Sequence, residues 1–311
     1  MGKFKGYFLA AIAAAAYGTN PAFAIPLYEI GMNPNSVLLF RYGMGIPILA
    51  LIVALRKIDF QLHKEEVIPV FILGVLMAVS SLTLFESYNY MNSGVASTLL
   101  FVYPIMVAVI MTFFFKEHFK ISLILCFIFM IGGLILLMRP SNDSELSGFG
   151  FLLVMVSALT YAIYIVLVNA SKTISKIPTT KLLFYVLIFG STVFLFKIAI
   201  GTELTFPSRG IGWYNLLALA IIPTVLSLAC TSAAIHIIGS TPTAIFGALE
   251  PVTAVILSVV FLGQSITTRE IIGGLLIVVA TTIVVTSNSV DKIILHVRKF
   301  FPHHLIHKHK S

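Results

Sequence analysis

The sequence predicts an all-α membrane protein of ten transmembrane helices in two inverted five-helix repeats. Three observations carry this. The 311-residue chain is 59% hydrophobic and only 10% Asp, Glu, Lys and Arg, with a mean hydropathy of +1.03, whereas a soluble domain is about a quarter charged. Its apolar residues gather into runs close to the ~20 residues that a helix needs to cross a bilayer. A polar link, PSNDSELS at 140–147, divides those runs five and five. An odd number of spans per half obliges the second half to enter the membrane upside down.

The first run, 6–28, follows Lys3 and Lys5 directly and is long enough to span, so a cleavable leader is not expected. Pro21 and Pro26 disturb its outer half, because proline lacks an N–H and crowds the carbonyl four residues earlier. The second run, 35–55, carries Arg41 about 9 Å from its outer edge at the helical rise per residue, with Gly43 and Gly45 permitting close helix approach. The third, 67–88, holds Ser80 and Ser81 and ends near Glu86 and Tyr88. The fourth, 95–115, is interrupted by Tyr103–Pro104, and the fifth, 121–138, contains Cys126 and Gly132–Gly133. After the link come 148–171, with Tyr161 and Tyr164, then 182–200, then 211–235, which Pro223 bends and which holds Cys230. The ninth run, 243–263, contains Glu250–Pro251, and the tenth, 271–290, contains Gly273–Gly274. None alternates with the period of two that a β-barrel strand requires. The two cysteines sit inside apolar runs without a CxxC spacing and read as buried thiols.

Positive charge fixes the expected orientation. Of the twenty Lys and Arg, fifteen fall on one side of the spans and four on the other, with Arg41 inside a span. The basic side faces the cytoplasm, so both termini are expected there and the protein in the cell (inner) membrane. The formal charge of +8 therefore needs no nucleic-acid partner; the expected partners are the lipid bilayer and a small-molecule solute. The tail, 290–311, mixes Lys and Arg with apolar residues and reads as a cytoplasmic anchor on the anionic inner leaflet. Its five histidines, from His296 to His309, have no acid or cysteine among them, and no metal or cofactor is expected. An internal register also emerges. Gly6 falls over Gly150 and Tyr17 over Tyr161; with the shift lengthened by three residues, Ser80 falls over Ser227 and Pro104 over Pro251.

The fourth and ninth runs hold the most specific text: GVASTLLFVYPIMVAVIMTFFFKEHFKIS from Gly94, and TPTAIFGALEPVTAVILSVVFLGQSITTREIIGGLLIVVA from Thr241. These resemble the EamA-type family of the drug/metabolite transporter superfamily. Leu249, Glu250, Pro251, Val252 and Ala254 match its repeat ending, as do Phe261, Leu262, Gly263 and Gly273; Pro104, Glu117 and Gly132 match in the first half. Arg41, in LLFRYGMG, stands where the family often begins its second span with Arg. The chain departs from the pattern at Tyr103, the counterpart of Glu250, and at Gln264, where an acid is usual. The resemblance implies EamA-like repeats at 1–140 and 141–289 and a cavity enclosed by spans 1 to 4 and 6 to 9. It also implies that the fifth and tenth helices are peripheral braces, where some members make a homodimer contact.

Glu250 lies near mid-span, where an ionised acid costs roughly 2.5–3.5 kcal/mol. Such a carboxylate either binds a cationic solute group or coupling proton, or braces helices through hydrogen bonds. Arg41 and Glu86 could pair, or together face an amphoteric solute, while snorkelling is the alternative for Arg41. Pro104 and Pro251 are expected to free the carbonyls of Leu100 and Gly247 near mid-membrane, and Pro21 and Pro223 to break spans 1 and 8. Tyr17, Asn20, Ser80, Tyr103, Tyr161 and Tyr164 are candidates to line a cavity, each with an interhelical hydrogen bond as its plainer role. The expected function is a secondary transporter that exports a small polar metabolite, an amino acid by preference, by alternating access. A passive facilitator is the nearer alternative, since nothing dictates coupling to protons or Na⁺. An enzyme using Glu250 and His236 as acid and base is disfavoured, because the loops are too short for a catalytic constellation and no nucleophile or metal-ligand motif occurs.

Overall fold

The computed structural model describes residues 2–91, 93–116, 121–137, 147–262 and 268–285. Among these residues every regular element is helical, as lipid requires of a chain that cannot leave backbone groups unpaired. Six helical stretches are long and apolar enough to cross a membrane: Gly2–Glu29, Pro34–Leu55, Lys64–Ser87, Gly148–Ala170, Thr179–Ala199 and Gly210–Ile238. Shorter apolar helices include Tyr103–Phe115, Ser122–Leu136 and Ile271–Ala280. The chain is a multi-pass membrane protein. Glu117, Gly263, Gln264, most of the 140–147 link and the whole 290–311 tail lie outside the described residues.

Four of the predicted spans are interrupted where the sequence places its breakers. The first is α1 (Gly2–Tyr17) followed by α2 (Asn20–Glu29), and the fourth is α5 (Ser93–Leu100) followed by α6 (Tyr103–Phe115). Pro21 and Pro104 thus start helices instead of kinking them, since a first-turn residue needs no intrahelical N–H bond. Between lie α3 (Pro34–Leu55), capped by the Asn33 side chain accepting the Ser36 N–H at 2.8 Å, and α4 (Lys64–Ser87). Then follow α7 (Ile121–Leu137), α8 (Gly148–Ala170) and α9 (Thr179–Ala199). The eighth span is α10 (Gly210–Leu219), a π-helical stretch Ala220–Leu226 around Pro223, and α11 (Ser227–Ile238). Gly239, at φ 88°, turns the chain into α12 (Ser240–Phe246). After a break come α13 (Leu249–Leu262) and, lastly, α14 (Thr268–Val285).

The contacts between the halves come in matched pairs. α1 packs on α11 as α4 packs on α8, and α3 with α9, and α7 with α14, pair across the halves. The atoms repeat the match. Gly6 faces Ile237 and Ile238, while Gly150 faces Tyr90 and Met91. The Ser80 hydroxyl donates to the Ser157 carbonyl at 3.1 Å, and the Ser227 hydroxyl to the Ala13 carbonyl at 2.9 Å. Gly45 abuts Leu187 as Gly190 abuts Tyr42. Each of these contacts joins an early residue of one helix to a late residue of the other, or two mid-helix residues, so the paired helices run antiparallel.

Helices approach closely where glycines meet. A Cβ on Gly190 would stand 2.9 Å from the Tyr42 ring and 3.0 Å from the Gly74 carbonyl oxygen, closer than carbon packing allows. Gly190→Leu is therefore expected to lower stability by about 1–3 kcal/mol or more through overpacking. A thermal-unfolding midpoint equal to that of the parent protein would show that α4 and α9 are not so tightly joined.

Candidate functional site

A small cavity opens where α1, α6, α8 and α11 meet the break between α12 and α13. It is lined by Tyr17, Tyr103, Tyr161, Ser227, Thr231, Thr243 and Glu250, together with alanines of α1, Ile165 and Gly247. Its volume is about 20 Å³, enough for a water molecule. The backbone breaks place these side chains. Tyr103 is the first residue of α6 and Glu250 the second of α13, so the two pseudo-equivalent helix starts both point a polar group at the cavity.

Glu250 is 8% exposed, and its carboxylate makes no hydrogen bond or ion pair among the described residues. Gly18, in the break between α1 and α2, lets α13 approach: a Cβ there would lie 2.6 Å from the Glu250 carbonyl oxygen. The Tyr103 hydroxyl crosses to the other half and donates to the Ala244 carbonyl at 3.0 Å, passing over the bare Cα of Gly247. The expectation of a free Gly247 carbonyl is corrected here. That oxygen accepts the Glu250 N–H at 2.9 Å, because the break tightens into a short turn instead of leaving the Pro251 gap open. Tyr161 ties the aromatic wall together, with ring centroids 6.4 Å from Tyr17, 4.9 Å from Tyr103 and 6.2 Å from Tyr164.

Arg41 is completely buried. Its Nε donates to Thr224 Oγ1 and its Nη2 to the Pro223 carbonyl at 3.3 Å, while the guanidinium stands 5.6 Å from the Phe85 ring centroid. The π-helical stretch makes this possible. Pro223 cannot donate to the Leu219 carbonyl, so the Thr224 hydroxyl takes that acceptor at 2.7 Å and leaves the Pro223 carbonyl turned toward Arg41. Arg41 Nη1 has no partner among the described residues.

The anticipated pairing of Arg41 with Glu86 is not found. Glu86 Oε1 instead meets Lys197 Nζ at 3.1 Å, because α9 runs beside α4 and ends at the same level. Both side chains retain about a quarter to a third of their exposure, and such pairs contribute about 0–1 kcal/mol. Glu86→Gln is accordingly expected to shift unfolding by less than about 1 kcal/mol and to leave solute flux unchanged; a large loss of flux would return Glu86 to the site. Ser80 does not line the cavity either, being committed to Ser157 across the α4 and α8 contact. Asn20 is buried with both side-chain polar atoms unpartnered among the described residues, but outside the cavity wall. Tyr17, Tyr103, Tyr161 and Glu250 are thus brought together, while Arg41, Asn20 and Tyr164 are not among the residues that line the cavity. Sequence reasoning missed Thr224, Thr231 and Thr243; the hydroxyl directly after Pro223 was the one readable signal among them.

A helical membrane protein with two matched halves and an unpartnered acid between them has the build of a carrier for small solutes. The chain belongs to the EamA-like transporter family, whose model matches residues 4–139 and 148–286, within the drug/metabolite transporter superfamily. It is 25% identical over 251 residues, 80% of each chain, to the uncharacterized transporter YdfC of Bacillus subtilis (strain 168). It is 28% identical over 145 residues to an uncharacterized transporter of Archaeoglobus fulgidus, covering 46% of this chain and 50% of that one. A crystal structure matches the fold with a TM-score of 0.75 at 15% identity, covering 89% of this chain and 95% of the other.

Proposed function

We propose that the protein is a secondary transporter that exports a small polar metabolite, an amino acid by preference, across the inner membrane by alternating access. The observation that carries this is Glu250, a buried carboxylate without a partner among the described residues, facing a cavity between the two halves of the chain. A buried acid is costly to keep charged and unpaired, and a passing amino group would offset that cost. Arg41 is the opposite pole on this reading: its Nη1 has no partner among the described residues and would donate to a solute carboxylate. The antiparallel pairing of helices across the halves supports ten spans in two inverted repeats, 1–140 and 141–289, with both termini in the cytoplasm. On this reading α7 and α14, which pair with each other at the periphery, are braces and the face at which a homodimer would form.

The cavity is too small for an amino acid, which favours a carrier that must change shape over an open pore. Counterflow in liposomes tests the proposal. Vesicles holding the purified protein and an unlabelled amino-acid mixture are expected to accumulate labelled amino acid transiently and saturably. If a metabolite mixture without amino acids drives counterflow of its own labelled members while amino acids do not, the substrate class is wrong; if nothing is exchanged, so is the function.

A further inference from the structure

The cavity beside Glu250 has a second property that solute binding does not explain. Three of its hydroxyl groups spend their protons on backbone carbonyls: Ser227 on Ala13 at 2.9 Å, Thr243 on Gly239 at 2.7 Å and Tyr103 on Ala244 at 3.0 Å. A hydroxyl has one proton and two lone pairs, so what these three offer the cavity is oxygen lone pairs. The hydroxyls of Thr231, Tyr17 and Tyr161 also line it and have no hydrogen-bond partner among the described residues. Among the described residues no side-chain N–H reaches the lining. The result is a water-sized space, walled partly by alanines of α1 and Ile165 and partly by hydroxyl oxygens, and bounded by a carboxylate whose residue is more than nine-tenths buried.

Such a space selects a small cation. A proton would need only the carboxylate and would make no use of the lone pairs of Ser227 and Thr243. Divalent and transition metals ask for more anionic or imidazole ligands, and no group of three His, Cys, Asp or Glu side chains occurs among the described residues. We propose that the Glu250 cavity binds a dehydrated alkali cation, Na⁺, which occupies the carboxylate in the compact state and leaves it when the solute enters. An anionic oxygen is a high-field ligand, which favours Na⁺ over the larger K⁺. Competition of ion and solute for one carboxylate produces exchange, inward Na⁺ against outward solute. This rests on the reading of Glu250 as the transport carboxylate.

Binding of ²²Na⁺ to the purified full-length protein in choline chloride tests it whatever the solute is. Saturable binding is expected, displaced by Na⁺ and Li⁺ but not by K⁺ or choline. Glu250→Gln is expected to abolish it. Thr231→Val, which removes an uncommitted hydroxyl at constant shape and so leaves the fold intact, is expected to weaken it about tenfold, as one lost oxygen contact does. No saturable binding in the parent protein, equal displacement by K⁺, or full binding in Glu250→Gln would each overturn the ion site. Counterflow separates the two readings. If Glu250→Gln loses counterflow while the parent protein binds no ²²Na⁺, the transport carboxylate stands and the ion site falls. If the variant loses ²²Na⁺ binding but keeps counterflow, the ion site stands, and both the transport role of Glu250 and the exchange of ion for solute fall.

Discussion

Glu250→Gln is expected to leave a folded protein that melts no lower than its parent and to reduce solute flux by about two orders of magnitude or more. The stability half follows from what the carboxylate does not do. It makes no hydrogen bond or ion pair among the described residues, so the isosteric amide forfeits none of these there. The amide also removes a charge whose burial near mid-membrane costs roughly 2.5–3.5 kcal/mol. The flux half follows from the same isolation: if solute or ion supplies the missing partner, truncating one member of that buried charge pair costs about 2–5 kcal/mol, or roughly 30-fold to several thousandfold in affinity. Side-by-side melting and counterflow measurements check both halves. A variant that unfolds would make Glu250 a structural brace, and one that transports normally would make it a bystander.

Arg41→Met should produce the second large effect, again on flux more than on fold. Arg41 gives up two hydrogen bonds, to Thr224 and to the Pro223 carbonyl, each worth about 1.5–3 kcal/mol when a charge takes part. Against this, a buried guanidinium is itself expensive, and hydrophobic replacement of buried ions is often neutral or stabilising. Melting should therefore move by only a few degrees. Flux of a zwitterionic solute should fall by about two orders of magnitude, for want of the Nη1 donor, while an amine lacking the carboxylate should lose far less. Arg41→Lys should not rescue, because a point ammonium cannot span two acceptors and still present a free N–H. Equal losses for zwitterion and amine would mean that Arg41 serves only to hold the π-helical turn.

The long, charge-free stretches made the helices legible, because apolar length alone decides what can cross lipid. The breaks were half legible. Pro21, Pro104, Pro223 and Pro251 mark the right places, but a proline in a sequence does not say whether it kinks a helix, starts one or widens it into a π turn; the neighbours decide, as Thr224 does by taking the Leu219 carbonyl. Glu250 stood out because an acid in an apolar run has no cheap explanation. Its neighbours did not stand out: Thr231 and Thr243 resemble any hydroxyl that bonds its own helix, and only the meeting of α11 with α12 puts them beside the acid. The Arg41 and Glu86 pairing failed because charge and depth are visible in sequence, whereas the identity of the helix lying alongside is not. Lys197, on α9, was the nearer cation.

The central claim is that two halves of opposite orientation meet around Glu250. It is tested most directly by single cysteines at Ser141, in the link between the halves, and at Lys310, in the tail, in a background with Cys126 and Cys230 replaced, labelled with a membrane-impermeant maleimide in intact cells and in inverted vesicles. The account predicts that position 141 reacts from outside and position 310 only from the cytoplasmic side. Reaction of both from the same side would leave the halves in one orientation and remove the site between them.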